Sequence, residues 1–362
     1  MQRLRVSSQD FDYEVIVGRG AWGALAQYPL DRYSSVVVLT ERALWKHWGT
    51  RFGRDAGLKK AATVFLAPGE TSKNLRSVER VAAQLLQGGA DRQSLLIAFG
   101  GGVVGDVAGF VASTYMRGID YLQVPTTVVA QVDSGIGGKT AVNVGAMKNL
   151  VGTFYPPRLV LADPLVLSSL DERTFRSGLY EVVKHAILAG FPLFDQLEAC
   201  LPSLHPGSTK TLDLILARAA EVKVEVVSRD EREADLRRTL NLGHTFGHAL
   251  EEVTHYRRFL HGEAVGWGLL AVGCLAEQLG VLPPAEGQRI ARLVRRVGPL
   301  PALRGLSAKK VAALLPRDKK AVGGEIYWVL PERVGKVRIQ KGILPEAAAR
   351  AFESLQRDGW HE

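Results

Sequence analysis

The sequence predicts an α/β domain on a parallel sheet followed by a mostly helical part, and three observations predict it. In the first half, short β-branched runs alternate with amphipathic stretches, the pattern of βα units. After Asp171 the strand signals fade and helical periodicity takes over. At 362 residues the chain is also too long for one ordinary core, given roughly 150 residues per domain. The expected division is 1–165 and 166–362, joined by a packed hinge, because no low-complexity linker or internal repeat interrupts the chain.

Taken in order, Ser35 to Thr40, Thr63 to Ala67, Ser94 to Phe99 and Tyr121 to Pro125 are predicted strands. Glu41 to Phe52, Asn74 to Gly88 and Val103 to Met116 are the helices between them, and Leu159 to Asp163 is one more strand, closed by Pro164. Helices then follow at Phe175 to Ala189, Thr211 to Asp230, Gly243 to Val253 and Glu263 to Leu279. A hairpin pairing Glu325 to Leu330 with Lys336 to Ile339, and a helix from Glu346 to Leu355, complete the prediction.

Composition narrows the function. With 46% hydrophobic and 23% charged residues the chain falls among ordinary globular proteins, outside the disordered and fibrous classes. A net charge of +9 raises the question of nucleic acid, but the Lys and Arg residues are scattered and no nucleic-acid motif accompanies them, so none is expected. The first residues lack an apolar signal core, and nowhere do ~20 apolar residues run together, so neither membrane insertion nor export is expected. Only Cys200 and Cys274 occur, without a CxxC pair, which suits a reduced cytoplasmic setting.

Several polar turns could carry chemistry. The run Gly100-Gly101-Gly102-Val103-Val104-Gly105-Asp106 stands between a predicted strand and a helix, where bare amides and a positive helix end can hold a pyrophosphate. It is not the GxGxxG fingerprint, and such a cluster also serves as mere turn geometry. Gly69-Glu70-Thr71-Ser72-Lys73 and Thr126-Thr127 follow two other strands, so three polar turns at the carboxyl ends of neighbouring strands should define a crevice. Asp133 to Thr140 ends in Gly138-Lys139-Thr140, yet Asp133 stands where a phosphate loop needs its first Gly, which excludes an NTPase. What remains is a flexible loop presenting Lys139, followed by Lys148 and Asn149, suited to an anionic oxygen cluster or simply solvated.

In the second half, His244 and His248 are one helical turn apart, without the Glu of HExxH. His261 opens another helix and Glu181, with Lys184 one turn on, lies on the first. A Glu and two His from three helices would make a three-ligand divalent site with open positions, the catalytic pattern, although each His alone is more often an ordinary helix-face residue. Arg237 and Asn241 precede His244 by seven and three positions, so all three share a face if the helix already runs there. With Lys223 they would suit a carboxylate.

Together the motifs GGGVVGD, ASTYMRG, QVPTT, AQVDSGIGGKTAVN, KNLVGTFYPP, GLYEVVKH, LNLGHTFGHALE and LHGEAV resemble the 3-dehydroquinate synthase family of sugar phosphate cyclases. They run in family order from Gly69 to Gly268, and Asp318-Lys319-Lys320 extends the likeness. The resemblance implies a Rossmann-like NAD-binding domain, a helical metal-binding domain, an active site between them and a homodimer. It puts the metal, zinc or cobalt, on Glu181, His244 and His261. It puts NAD on Gly69, Glu70, Thr71, Ser72, Lys73, Gly101, Gly102, Val103, Gly105, Asp106, Thr126, Thr127, Lys139 and Lys148. Substrate contacts fall on Asp133, Lys139, Asn149, Lys184, Lys223, Arg237, Asn241, His248 and one of Lys319 or Lys320, and Arg117 matches an arginine lent to the neighbouring subunit's phosphate site.

The implied reaction turns 3-deoxy-D-arabino-heptulosonate 7-phosphate, a phosphorylated seven-carbon keto acid, into 3-dehydroquinate and phosphate on the shikimate route. It proceeds by transient oxidation with NAD, phosphate loss, re-reduction and an intramolecular aldol closure. Departures from the family pattern are small: Ser134-Gly135-Ile136 stands for the more usual Ser-Ser-Val, and residues beside Glu181 and Lys184 vary. The rival readings are a sister cyclase such as 2-deoxy-scyllo-inosose synthase or a valiolone-type synthase, and a glycerol-dehydrogenase-like alcohol dehydrogenase. The presence of Lys223, Arg237 and Asn241 favours the first reading.

Overall fold

The computed structural model describes residues 1–58, 60–145, 147–208, 210–315 and 326–361. Lys319 and Lys320 lie outside the described residues, as does the first part of the predicted hairpin at Glu325. The chain forms two compact units, Met1–Leu170 with Leu212–Arg232, and Asp171–Thr211 with Glu233–Glu362.

The first unit carries β1 (Gln2–Ser7), β2 (Asp12–Val17), β3 (Val36–Glu41), α1 (Arg42–Asp55), β4 (Ala62–Leu66), α2 (Leu75–Gln87), β5 (Leu95–Gly100), α3 (Gly102–Thr114), β6 (Asp120–Pro125), β7 (Lys139–Val144), β8 (Met147–Phe154) and β9 (Leu159–Ala162). Seven strands form one sheet in the order β1-β2-β9-β6-β5-β3-β4. From β2 to β4 every pairing is parallel, as the alternating βα pattern requires. All six residues of β5 are buried, which is why its sequence reads as a continuous apolar run. β3 pairs with β4 on one side and β5 on the other, so the chain reverses its winding there. The Gly101 turn leaves β5 at that switch point, where doubly wound sheets take ligands. β3 also separates β5 from β4, so the turn at Gly69–Lys73 does not follow an immediate neighbour of β5, as the sequence suggested.

Two hairpins in this unit escape the sequence pattern. β1 and β2 pair antiparallel at the sheet edge, with the ion pairs Arg3–Glu14 and Arg5–Asp12 running diagonally across them. β7 and β8 form a separate antiparallel ribbon where a flexible loop was expected. α2 begins at Asn74, whose side chain accepts from the Ser77 amide at 2.9 Å and so satisfies one of the free donors of the first turn.

The later elements are α4 (Glu172–Ala189), α5 (Leu193–Cys200), α6 (Lys210–Arg229), α7 (His244–Val253), α8 (His261–Gln278), α9 (Pro284–Arg296), α10 (Ala308–Leu314), β10 (Trp328–Arg333), β11 (Lys336–Gln340) and α11 (Pro345–Asp358). Most of α6, expected in the helical half, groups with the first unit from Leu212 onward. The reason lies in its polar partners there: Asp213 meets Arg19, Lys223 pairs with Asp133, and Glu231, just beyond its end, accepts from Ser8. Among the described residues, no helix is long and apolar enough to cross a membrane.

α8 is the hub of the second unit and is buried almost all round, the mark of a helix enclosed by others. It lies so close to its neighbours that a Cβ on Gly262 would fall 1.7 Å from the Ser177 carbonyl oxygen of α4, and one on Gly268 would fall 1.9 Å from the Gly243 carbonyl. Backbone packing at this range admits no side chain. Gly268→Ala is therefore expected to destabilise this unit by about 1–3 kcal/mol through overpacking; a urea unfolding midpoint unchanged from the parent would show that the helices can part without loss.

Candidate functional site

The close helix packing in the second unit brings one carboxylate and two imidazoles to one point. Glu181, fully buried in the middle of α4, faces the Nε2 of His244 at 3.5 Å and the Nε2 of His261 at 3.3 Å, both from its Oε1. His244 opens α7 and His261 opens α8, so each imidazole is fixed by a helix start rather than a loose loop. Each histidine is also held from behind. His244 Nδ1 lies 3.2 Å from the Leu242 carbonyl, and His261 Nδ1 lies 3.4 Å from Glu251 Oε2. Glu181 Oε2 accepts an ion pair from Lys184 Nζ at 2.6 Å, and Lys184 is buried beside it.

These residues fit a divalent ion. Bonds of about 2.0–2.1 Å at tetrahedral angles put ligand atoms about 3.4 Å apart, and two imidazoles with one carboxylate is a catalytic donor set that leaves a coordination position open. The measured separations of 3.3 and 3.5 Å match that spacing, and all three ligand atoms lie within 4.8 Å of one another. Desolvation pulls the His261 imidazole down from its ordinary value, but the charges and hydrogen bonds of Glu251 and Glu181 outweigh it and push the pKa up to about 10. A bound ion would take the place of that proton.

His248 stands one turn along α7, its ring 5.5 Å from His244 and 6.2 Å from His261, half-buried at the edge of the centre. Arg237 is buried and Asn241 donates to Glu233 at 2.7 Å. They do not share a helix face with His244. Leu236–Asn241 is a 3-10 turn, Leu242 leaves helical geometry, and Gly243 sits at φ 78, so α7 starts only at His244. Glu251 did not stand among the residues singled out from sequence, although its place three residues after His248 put a carboxylate on the ligand-bearing face.

In the first unit the Gly101 turn leads straight into α3, and the glycines bring that helix onto the sheet: a Cβ on Gly105 would meet the Gln123 amide of β6 at 2.8 Å. Thr126 donates its amide to the Gly100 carbonyl at 3.0 Å, and Thr127 stands beside Gly101. Glu70–Ser72 is a single 3-10 turn after Gly69. Glu70 accepts from Asn143 at 2.8 Å, while Lys73 reaches Asp106 in a buried ion pair, which ties the Gly69 turn to α3 across the intervening strand. Burial raises the Asp106 carboxyl above its ordinary value, with Lys73 opposing. Asp133 pairs with Lys223, which is buried on α6.

Lys139 opens β7 opposite Phe154, and Lys148 and Asn149 lie further along the ribbon on β8. The register shifts between Val142 and Val144, so residues 148–150 stand opposite Asn143 alone. This bulge turns Asn149 to φ 50 and hangs its amide on Asn143 Oδ1 at 2.8 Å. Arg117 is placed elsewhere. It sits exposed at φ 70 on the turn before β6, at the amino ends of the strands and away from the Gly101 turn. It lines a cavity of about 590 Å³ with Arg32, Arg92 and Arg158. Removing one metal ligand, as in His244→Ala, is expected to abolish stoichiometric zinc binding in equilibrium dialysis; retained binding would mean the ion sits elsewhere.

Comparisons with known proteins identify the family. The family description "3-dehydroquinate synthase N-terminal" matches residues 63–177, and "3-dehydroquinate synthase C-terminal" matches residues 178–321. A 3-dehydroquinate synthase from Solibacter usitatus is 44% identical over 94% of this chain and 96% of its own length. One from Koribacter versatilis is 44% identical over 98% of both chains. Among solved structures, a 2-epi-5-epi-valiolone synthase from Streptomyces hygroscopicus, with NAD+ and Zn2+ bound, is 28% identical with a TM-score of 0.87, covering 98% of this chain and 100% of that one. Matched in both halves by one family's descriptions, and nearly end to end by its curated members, the chain belongs to the 3-dehydroquinate synthase family.

Proposed function

We propose that this chain is a 3-dehydroquinate synthase, converting 3-deoxy-D-arabino-heptulosonate 7-phosphate to 3-dehydroquinate and phosphate with NAD and a divalent ion as cofactors. The observation that carries the reading is the Glu181, His244 and His261 set at metal-ligand spacing, in a chain that curated 3-dehydroquinate synthases match almost end to end. The substrate class is a phosphorylated sugar, and the carboxylate-bearing seven-carbon keto acid is the finer assignment.

Glu181, His244 and His261 hold the ion, which when bound supplies Lewis-acid polarisation of the substrate's oxygens. NAD, taken at Gly69–Lys73, Gly101–Asp106, Thr126, Thr127, Lys139 and Lys148, supplies a reversible hydride acceptor that is regenerated in each turnover. Lys184 holds Glu181 from behind through their buried ion pair. Lys139 and Asn149 bind the phosphate, Asn149 from the bulge of the β7–β8 ribbon. Arg237, Asn241 and Lys223 fix the carboxylate, with Asp133 holding Lys223 in place, so that orientation contributes a large part of the rate. His248, at the accessible edge of the centre, carries the proton, since an imidazole titrates near neutrality. One of Lys319 and Lys320 completes the substrate contacts.

A homodimer and a cytoplasmic setting belong to the same reading. The position of Arg117 supports the dimer, because it is exposed at the amino ends of the strands and so is free to serve a second copy's phosphate site. Substituting it is expected to raise KM for the phosphorylated substrate more than it lowers metal affinity.

The test is phosphate release from the heptulosonate phosphate with NAD present, with and without a chelator, and with glucose 6-phosphate in parallel. Chelator-sensitive release from the heptulosonate alone, without net NADH, is expected. Release only from glucose 6-phosphate would move the chain to the inosose synthases, and net NADH without release would make it a dehydrogenase.

A further inference from the structure

Two nitrogen atoms of one ring decide how His261 can serve. Its Nε2 points at Glu181 Oε1, 3.3 Å away, and its Nδ1 points at Glu251 Oε2, 3.4 Å away. A neutral imidazole carries one proton, and the nitrogen that keeps it cannot bind a metal. A carboxylate accepts and never donates when ionised; with Glu181 taken up by an ion, Glu251 is the carboxylate left to accept the ring proton, so it keeps that proton on Nδ1 and leaves the Nε2 lone pair for the ion. His244 obtains the same result from the Leu242 carbonyl, a backbone group that substitution cannot remove. Glu251 is itself buried, on the inner face of α7, and its pairing with an ion-bound imidazole offsets the expense of a carboxylate kept from water.

We infer that Glu251 is a positioning residue that fixes the tautomer and direction of His261 for the divalent ion. This rests on the metal site proposed above, but it is tested separately from it. Zinc affinity is measured by competition with a chromophoric chelator, and the visible spectrum of the cobalt-loaded protein reports the ligand field. Glu251→Leu is expected to weaken affinity by about 10–100-fold and to change the cobalt spectrum. Glu251→Gln, which keeps an acceptor, is expected to retain most of both. Affinity for Glu251→Leu within twofold of the parent, with an unchanged spectrum, would overturn the inference, whereas a parent that binds no ion would instead overturn the metal site.

Should Glu251→Leu fail to fold, the tautomer is read in the parent. In zinc-loaded protein carrying 15N-histidine, with His261 assigned by its loss in His261→Asn, the proton is expected on Nδ1. A proton on Nε2 would refute the assignment.

Discussion

Two carbonyl oxygens, those of Ser177 and Gly243, stand where side chains on α8 would otherwise be, and the convergence of Glu181, His244 and His261 depends on that exclusion. With Gly262 and Gly268 facing them, α8 comes to backbone contact with α4 on one side and the start of α7 on the other. Only then do a glutamate in the middle of one helix and histidines at the starts of two others reach a common point. Packing at van der Waals range is stiff, since a protein interior has little free volume to take up a shift. The ligand spacing is thus set by helix backbones, and the side chains inherit it.

Much of the fold was legible, and what was not has physical causes. The parallel strands could be read because burial on both faces removes polar residues from them, as in β5. β1 and β2 do alternate, Leu4 and Val6 against Arg3 and Arg5, and Tyr13 and Val15 against Asp12 and Glu14, but as short runs of six residues standing ahead of the βα pattern they were passed over. The β7–β8 ribbon was hidden by its Gly-rich approach and by a bulge that breaks period-two patterning at Asn149. Boundaries of helices such as α2 and α4 fell within a few residues of expectation because Asn74 and Asp171 mark them as caps.

At the site, residue chemistry was easier to foresee than placement. Glu181, His244 and His261 could be singled out because three of the chain's eight histidines, His244, His248 and His261, fall close together among glycines. The shared face of Arg237, Asn241 and His244 failed because Gly243 adopts a left-handed conformation that restarts the helix, and a glycine before His244 was the available sign of it. Glu251 was overlooked since one of two adjacent glutamates late in a short helix looks solvated until its burial is seen.

The interrupted layout of the first unit bears on how this chain can be divided. Residues 212–232 lie beyond Asp171 in sequence yet group with the sheet unit, and they carry Lys223, Asp213 and Glu231 to partners near the beginning and middle of the chain. No single cut yields two whole units. A fragment beginning at Asp171 would bring along most of a helix whose partners, among them Asp133 and Ser8, had stayed behind, and a buried ammonium would be left without its carboxylate. Split-protein or domain-exchange engineering would therefore have to move two separate stretches together, and a permuted chain with new termini near residue 170 would keep more native contacts than a truncated one.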